Sequence, residues 1–206
     1  MTNRDEKRRI AIINGGKYTT FICEALNPRD YEITEWTIIP IVGEYDLVFI
    51  FLDDAPTDEE IPNIRAMKRS FLEYTKRFPC KWIMFAPQNN ENIRKRGIMK
   101  NQNRCILDAC RFGFQFKKRF RCWSSFPIDS VLCNRNCVLA RTTKLHDPKV
   151  WATRLEEPMV KRQIELYEAY DKINVIPMDL IRHLVEISMN ETNRLLMIDD
   201  SKYGFW

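Results

Sequence analysis

The chain has 206 residues, 45% hydrophobic and 30% charged, enough for one sizeable core. Six glycines and ten prolines exclude a low-complexity chain, and no apolar run approaches the roughly 20 residues that cross a bilayer, so no membrane partner is expected. The formal net charge of +5 is too small to name a polyanionic partner by itself.

Residues 9–16, RIAIINGG, are an apolar run closed by a glycine pair, the pattern of a buried strand and a tight turn. Phe21, Ile22, Ala25 and Leu26 then fall at helical spacing, and Asn27-Pro28 stops that helix. Residues 31–39 alternate like a strand, while 45–52, YDLVFIFL, are continuously apolar, as in a strand buried on both faces. Asp53-Asp54-Ala55-Pro56 closes it. Residues 59–78 predict a helix with Ile64, Met67, Phe71, Leu72 and Tyr74 on its apolar side. Residues 81–85 predict the next strand, broken at Ala86-Pro87-Gln88, and 102–110 border a further element. This β-α-β-β-α-β order predicts an α/β fold, a mostly parallel, Rossmann-like sheet with helices on both faces. Residues 1–128 read as that core and 129–157 as a small Cys- and Arg-rich loop subdomain. Residues 158–206 read as a small C-terminal appendage, with helices over 158–170 and 177–196 packing back on the core and Pro177 at the first helical position.

In such sheets ligands sit at the carboxyl ends of the strands. The Asn14-Gly15-Gly16 turn, between a strand and a helix, suits close approach of a cofactor to backbone N–H groups, but equally an ordinary tight turn. Asp53 and Asp54 read as a general base or metal ligands, or as a capping turn before the next helix. Cys133 and Cys137, with His146 nine residues on, offer three of the four ligands that zinc takes, with Cys122 a candidate fourth; the alternative is loop thiols. His183, inside an apolar helix, reads as structural. Seven cysteines, an odd number, behind an N-terminal MTNRDEKRRI without an apolar leader predict reduced thiols. The expected setting is therefore intracellular, in nucleus or cytoplasm or in an infected cell.

Between Glu91 and Arg121 ten Lys/Arg face only two acidic residues, with Phe112, Phe114, Phe116 and Phe120 interleaved. Arg94, Arg96, Lys117, Lys118, Arg119 and Arg121 are the candidate phosphate contacts to DNA or RNA. The structural alternative is a solvated face whose long side chains cover apolar surface.

Taken in order, these segments resemble the C5-cytosine DNA methyltransferase family, in its compact phage- and virus-like form, over about residues 10–188. IAIINGGKYTTFICEAL is similar to the motif whose glycine turn cradles S-adenosylmethionine. DLVFIFLDDAP stands at the family's Pro-Cys strand, and KWIMFAPQ at the strand that ends in Glu-Asn-Pro-Gln. CRFGFQFKKRFRCW resembles the strand pair whose Arg-x-Arg holds the flipped base and the backbone, and VLCNRNC the short Cys-containing stretch after it. NVIPMDLIRHLVEI resembles the last motif, a helix that returns to the cofactor side. The resemblance implies S-adenosylmethionine at Asn14, Gly15 and Gly16. Glu35, two residues from the matching position Thr37, stands in for the acidic ribose ligand.

The departures weigh on the chemistry. The family's reaction needs a thiolate to add to C6 of cytosine and a carboxyl group to hydrogen-bond the ring nitrogen. Here Leu52-Asp53-Asp54 replaces Pro-Pro-Cys, and Phe85-Ala86 replaces Glu-Asn. A phenyl ring can neither donate nor accept a proton. The leading expectation is a pseudoenzyme that binds nucleic acid or regulates a protein partner. The alternatives are an S-adenosylmethionine-dependent methyltransferase with an N or O acceptor, using Asp53 and Asp54, and a cofactor-free interaction scaffold presenting Tyr203-Gly204-Phe205-Trp206.

Overall fold

The computed structural model describes residues 7–36, 43–52, 61–87, 99, 102–114, 118–137, 140–141 and 176–190, with parts of 158–165. β1 (Arg8–Ile13), β2 (Tyr31–Trp36), β3 (Leu47–Phe51), β4 (Lys81–Pro87), β5 (Asn103–Asp108) and β6 (Arg119–Ser124) form one sheet in the order β2-β1-β3-β4-β6-β5. The first four strands are parallel. β6 runs antiparallel to both β4 and β5, so the sheet is mixed at that side. The five residues of β3 are all buried, which is why its sequence is continuously apolar, whereas the edge strand β2 alternates.

α1 (Lys17–Ala25) connects β1 to β2, and α2 (Ile61–Arg77) follows β3 and leads into β4. The two connections travel in opposite directions along the sheet. Right-handed crossovers then put the helices on opposite faces. The core is accordingly split. Ile10, Ile12, Leu47, Phe49 and Ile83 pack with Ile22 and Ala25 of α1, while Ala11, Val48, Ile50 and Met84 pack with Phe71 and Tyr74 of α2.

α3 (Met178–Met189) completes the α1 face, with Leu180, Ile181, Leu184 and Val185 all buried in that core cluster. It is an integral layer, not an appendage. Pro177 stands just outside it, and its carbonyl accepts from Leu180 N and Ile181 N. The helix ends at Met189, where the expected pattern ran on to residue 196, and 191–206 lie outside the described residues. Lys81 of β4, only 8% exposed, donates through its ammonium to the carbonyls of Ser188 and Asn190, a cation placed at the negative end of the helix.

Two further expectations change. β4 does not break before Pro87: it runs through Ala86 and Pro87 because both pair with β6, at Arg121 and Phe120. Proline has no N–H to give to the ladder. The described part of the 129–157 stretch is stitched to the edge of β5, with Val131 N donating to Ile106 O and Asp108 N to Val131 O, each at 2.9 Å.

Candidate functional site at the carboxyl edge of the sheet

The strand order reverses between β1 and β3, and at such a switch point an α/β sheet opens a crevice at its carboxyl edge. The Asn14-Gly15-Gly16 turn lies at one lip. Asn14 takes a left-handed φ of 53° and its N–H donates to Trp36 O, which ties the turn to the end of β2. A Cβ on Gly15 would stand 2.1 Å from Thr19 Oγ1, 2.5 Å from Ile12 Cγ2 and 3.0 Å from Glu35 Oε1. The missing side chain is therefore taken up by the protein's own packing. Gly16, at φ 46°, meets nothing within 4 Å, and its N–H donates to Glu35 Oε1 at 2.7 Å. Four residues named from sequence for a cofactor thus come together. The carboxylate of Glu35 already occupies an N–H at the start of α1, where the helix field favours an anion.

At the centre of the edge the crevice is filled. Tyr18, from the first turn of α1, stacks on Phe51 at 4.5 Å between ring centroids, and Phe51 stacks on Phe85 at 5.4 Å. Phe120 meets Phe85 edge-on at 6.3 Å. Among the described residues the cavity lined by Tyr18, Phe51, Phe85, Ala86, Lys118 and Phe120 measures about 10 Å3, at the lower limit for a single water. Phe85 and Ala86 are buried, on opposite faces of β4. Asp53, Asp54 and Gln88 lie outside the described residues. A wider groove of about 530 Å3, lined by Arg8, Asn27, Arg182 and Asn190 among others, opens at the start of β1, away from the strand carboxyl ends where such folds do chemistry.

Of the two arginines of β6, Arg119 has a clear structural partner. Arg119 donates from Nε and Nη2 to the two oxygens of Asp108, at 2.7 and 3.1 Å, and Asp108 is fully buried. Arg121 is half-buried with its Nη1 out of water. Lys118 places its ammonium 5.9 Å from the centre of the Phe120 ring. Lys117, Arg94 and Arg96 lie outside the described residues.

Beyond Asp108 the same edge becomes sulfur-rich. Cys110 sits in the 3-10 turn Ala109–Phe112, closed by Gly113 at φ 79°. Its Sγ and those of Cys133 and Cys137 all lie within 4.8 Å of one another, and all three residues are buried, an arrangement able to hold a metal ion. Burial and the neighbouring sulfurs push the Cys110 thiol well up. For Cys133 burial acts upward, but hydrogen bonds from the N–H groups of Cys137 and Arg135 and from the neighbouring thiols outweigh it and bring the group below its ordinary value. Two of these cysteines were legible as a C-x3-C pair. Cys110 was not, because no spacing rule links it to residues 133–137. Cys122 is no part of the group: it is buried in the central core opposite Cys105, its register partner across β5 and β6. His146 lies outside the described residues. His183 packs its ring 5.3 Å from that of Phe112. No described helix is long and apolar enough to cross a membrane.

No protein-family model matches the chain, and no curated protein matches it significantly.

Proposed function

We propose that the protein is a methyltransferase-fold binding module without cytosine methylation activity, serving nucleic-acid binding or the regulation of a partner. One observation carries this reading: the Tyr18–Phe51–Phe85–Phe120 stack fills the carboxyl edge where a flipped base would have to enter. Phe85, at the position that the family resemblance gives to a proton-donating carboxyl, is an interior member of that stack. Opening the site would separate rings worth about 0.5–1.5 kcal/mol per contact beyond their buried area. The nucleic-acid part rests on the basic segment around Lys117, Lys118, Arg94, Arg96 and Arg121. Arg119 contributes less than its sequence position promised, since Asp108 holds its guanidinium.

The test is transfer of labelled methyl groups from S-adenosylmethionine to cytosine-containing DNA, beside a binding titration of duplex and single-stranded DNA and RNA at several salt concentrations. No methyl transfer with salt-dependent nucleic-acid binding is the expected result. Methylated cytosine would overturn the pseudoenzyme reading, and absence of nucleic-acid binding would leave only the protein-partner form of it.

A second reading has its own observation. Glu35, exposed at the end of β2 and hydrogen-bonded to Gly16 N, is a carboxylate beside a glycine turn, which suits the hydroxyls of a ribose. Under it the chain binds S-adenosylmethionine and methylates an N or O acceptor. Calorimetric titration with that cofactor decides: saturable binding lost in Glu35→Ala favours the second reading, and no heat at millimolar cofactor removes it.

A further inference from the structure

The three clustered thiols come from two stretches of chain held against each other by directed polar contacts. Asp108 is the hinge of the arrangement. Its buried carboxylate accepts from Arg119 on one side and from the backbone N–H of Cys133, at 2.7 Å, on the other. The loop 133–137 is gripped twice more, by Arg111 Nη1 on Asn136 Oδ1 at 3.0 Å and by Arg141 Nη2 on Asn136 O at 2.8 Å. Arg135 turns this loop at a left-handed φ of 61°, a conformation that side chains other than glycine's adopt at a cost. Beside the same loop, Ala140 N–H donates to Cys137 Sγ at 3.3 Å. Backbone N–H donors on sulfur favour the thiolate form, the form that binds metal.

Tetrahedral zinc, with Zn–S of about 2.3 Å, holds its sulfurs about 3.8 Å apart. The present Sγ separations, all within 4.8 Å, need a contraction of about 1 Å at most to meet that. A divalent ion with three thiolates carries one net negative charge, and Arg111 and Arg141, both hydrogen-bonded to Asn136 of the loop, stand near to balance it. Soft sulfur ligands exclude magnesium and calcium, which take oxygen.

We propose that Cys110, Cys133 and Cys137 are thiolate ligands of one structural zinc ion that pins the 133–137 loop to the turn after β5. The fourth ligand comes from outside this trio. The ion replaces apolar packing at a corner where polar and charged groups crowd and the apolar core thins out. The site stands independently of the methyltransferase reading, since none of its residues lies in the aromatic stack.

The experiment uses the full chain, purified under reducing conditions without chelator. Elemental analysis is expected to find about one zinc per chain, and X-ray absorption at the zinc edge three sulfur neighbours. Cys133→Ala and Cys137→Ala should each lower bound zinc about tenfold or more, while Cys23→Ser, at an exposed thiol on α1, should leave it unchanged. Should those variants fail to fold, the wild-type chain supplies the answer. Chelation should lower its thermal midpoint, zinc should restore it, and cobalt(II) added to the stripped protein should give thiolate charge-transfer absorption. Folded protein that holds neither zinc nor cobalt, a disulfide between any two of the three in the reduced preparation, or zinc retained with fewer than three sulfur neighbours would each overturn the proposal.

Discussion

The carboxyl edge of this sheet has two halves that solve the same problem differently. Over β1, β3 and β4 it is closed by rings: Tyr18, Phe51, Phe85 and Phe120 fill the crevice with apolar volume. Over β5 and β6 it is closed by directed bonds: Asp108 to Arg119 and Cys133, arginines to Asn136, and three sulfurs at the centre. Among the described residues the ring stack of the first half is apolar, whereas the second half gathers a buried carboxylate, arginines and three thiols. The cofactor and catalytic positions that the resemblance names fall in the first half, whereas the clustered thiols lie in the second.

The largest effect that would break this contrast is Phe51→Ala. Its ring is 1% exposed and touches Tyr18 and Phe85, so truncation should cost about 3–5 kcal/mol in urea unfolding. A loss below about 1 kcal/mol would mean that the crevice collapses or stands open, and that the edge is not held by its rings. Asp108→Ala tests the other half. It strands Cys133 N–H and the Arg119 guanidinium, the latter about one-third exposed, and should cost about 3 kcal/mol, at the low end for a buried pair because of that exposure. Adding Arg119→Ala should cost less than the sum of the two single changes.

Gly15→Ala sharpens the reading of the glycine turn. A methyl 2.1 Å from Thr19 Oγ1 should destabilise by about 1–3 kcal/mol with no ligand present, because the space is used by the fold itself. Alkaline titration probes the buried thiols. Burial pushes Cys80 from 9.0 up to about 12, so between those values the unfolded chain has lost a proton that the folded chain keeps. Its contribution to stability is whole below pH 9 and drains as pH rises toward 12, by about 1.4 kcal/mol per pH unit. Unfolding free energies across that range should show a flatter decline in Cys80→Ala. Lys118→Ala is the mildest change. It should move stability by about 0.5 kcal/mol or less, yet reduce the salt slope of nucleic-acid binding by about one. An unchanged slope would take Lys118 out of the interface.

Much of the fold was readable along the chain. The continuous run at β3, the helical spacing of Phe21, Ile22 and Ala25, and the Asn27-Pro28 stop each reflect local physics, and each element stands where its pattern put it. What the chain did not reveal lies where distant segments pair or pack. β4 reaches Pro87 because β6 pairs with it there. Arg119, read from sequence as a phosphate contact, also pairs with a buried carboxylate eleven residues upstream.

The sequence by itself determined the α/β alternation, the glycine turn and the C-x3-C pair. These are set by residue type and near-neighbour spacing, which folding does not alter. Tertiary structure alone decided that Glu35 reaches Gly16, that the rings of four separate segments meet in one stack, and that Cys110, not Cys122, joins Cys133 and Cys137. Contacts of this kind depend on strand order and on which face of the sheet a side chain takes. A strand's pattern records whether a residue is buried, but not which distant segment buries it.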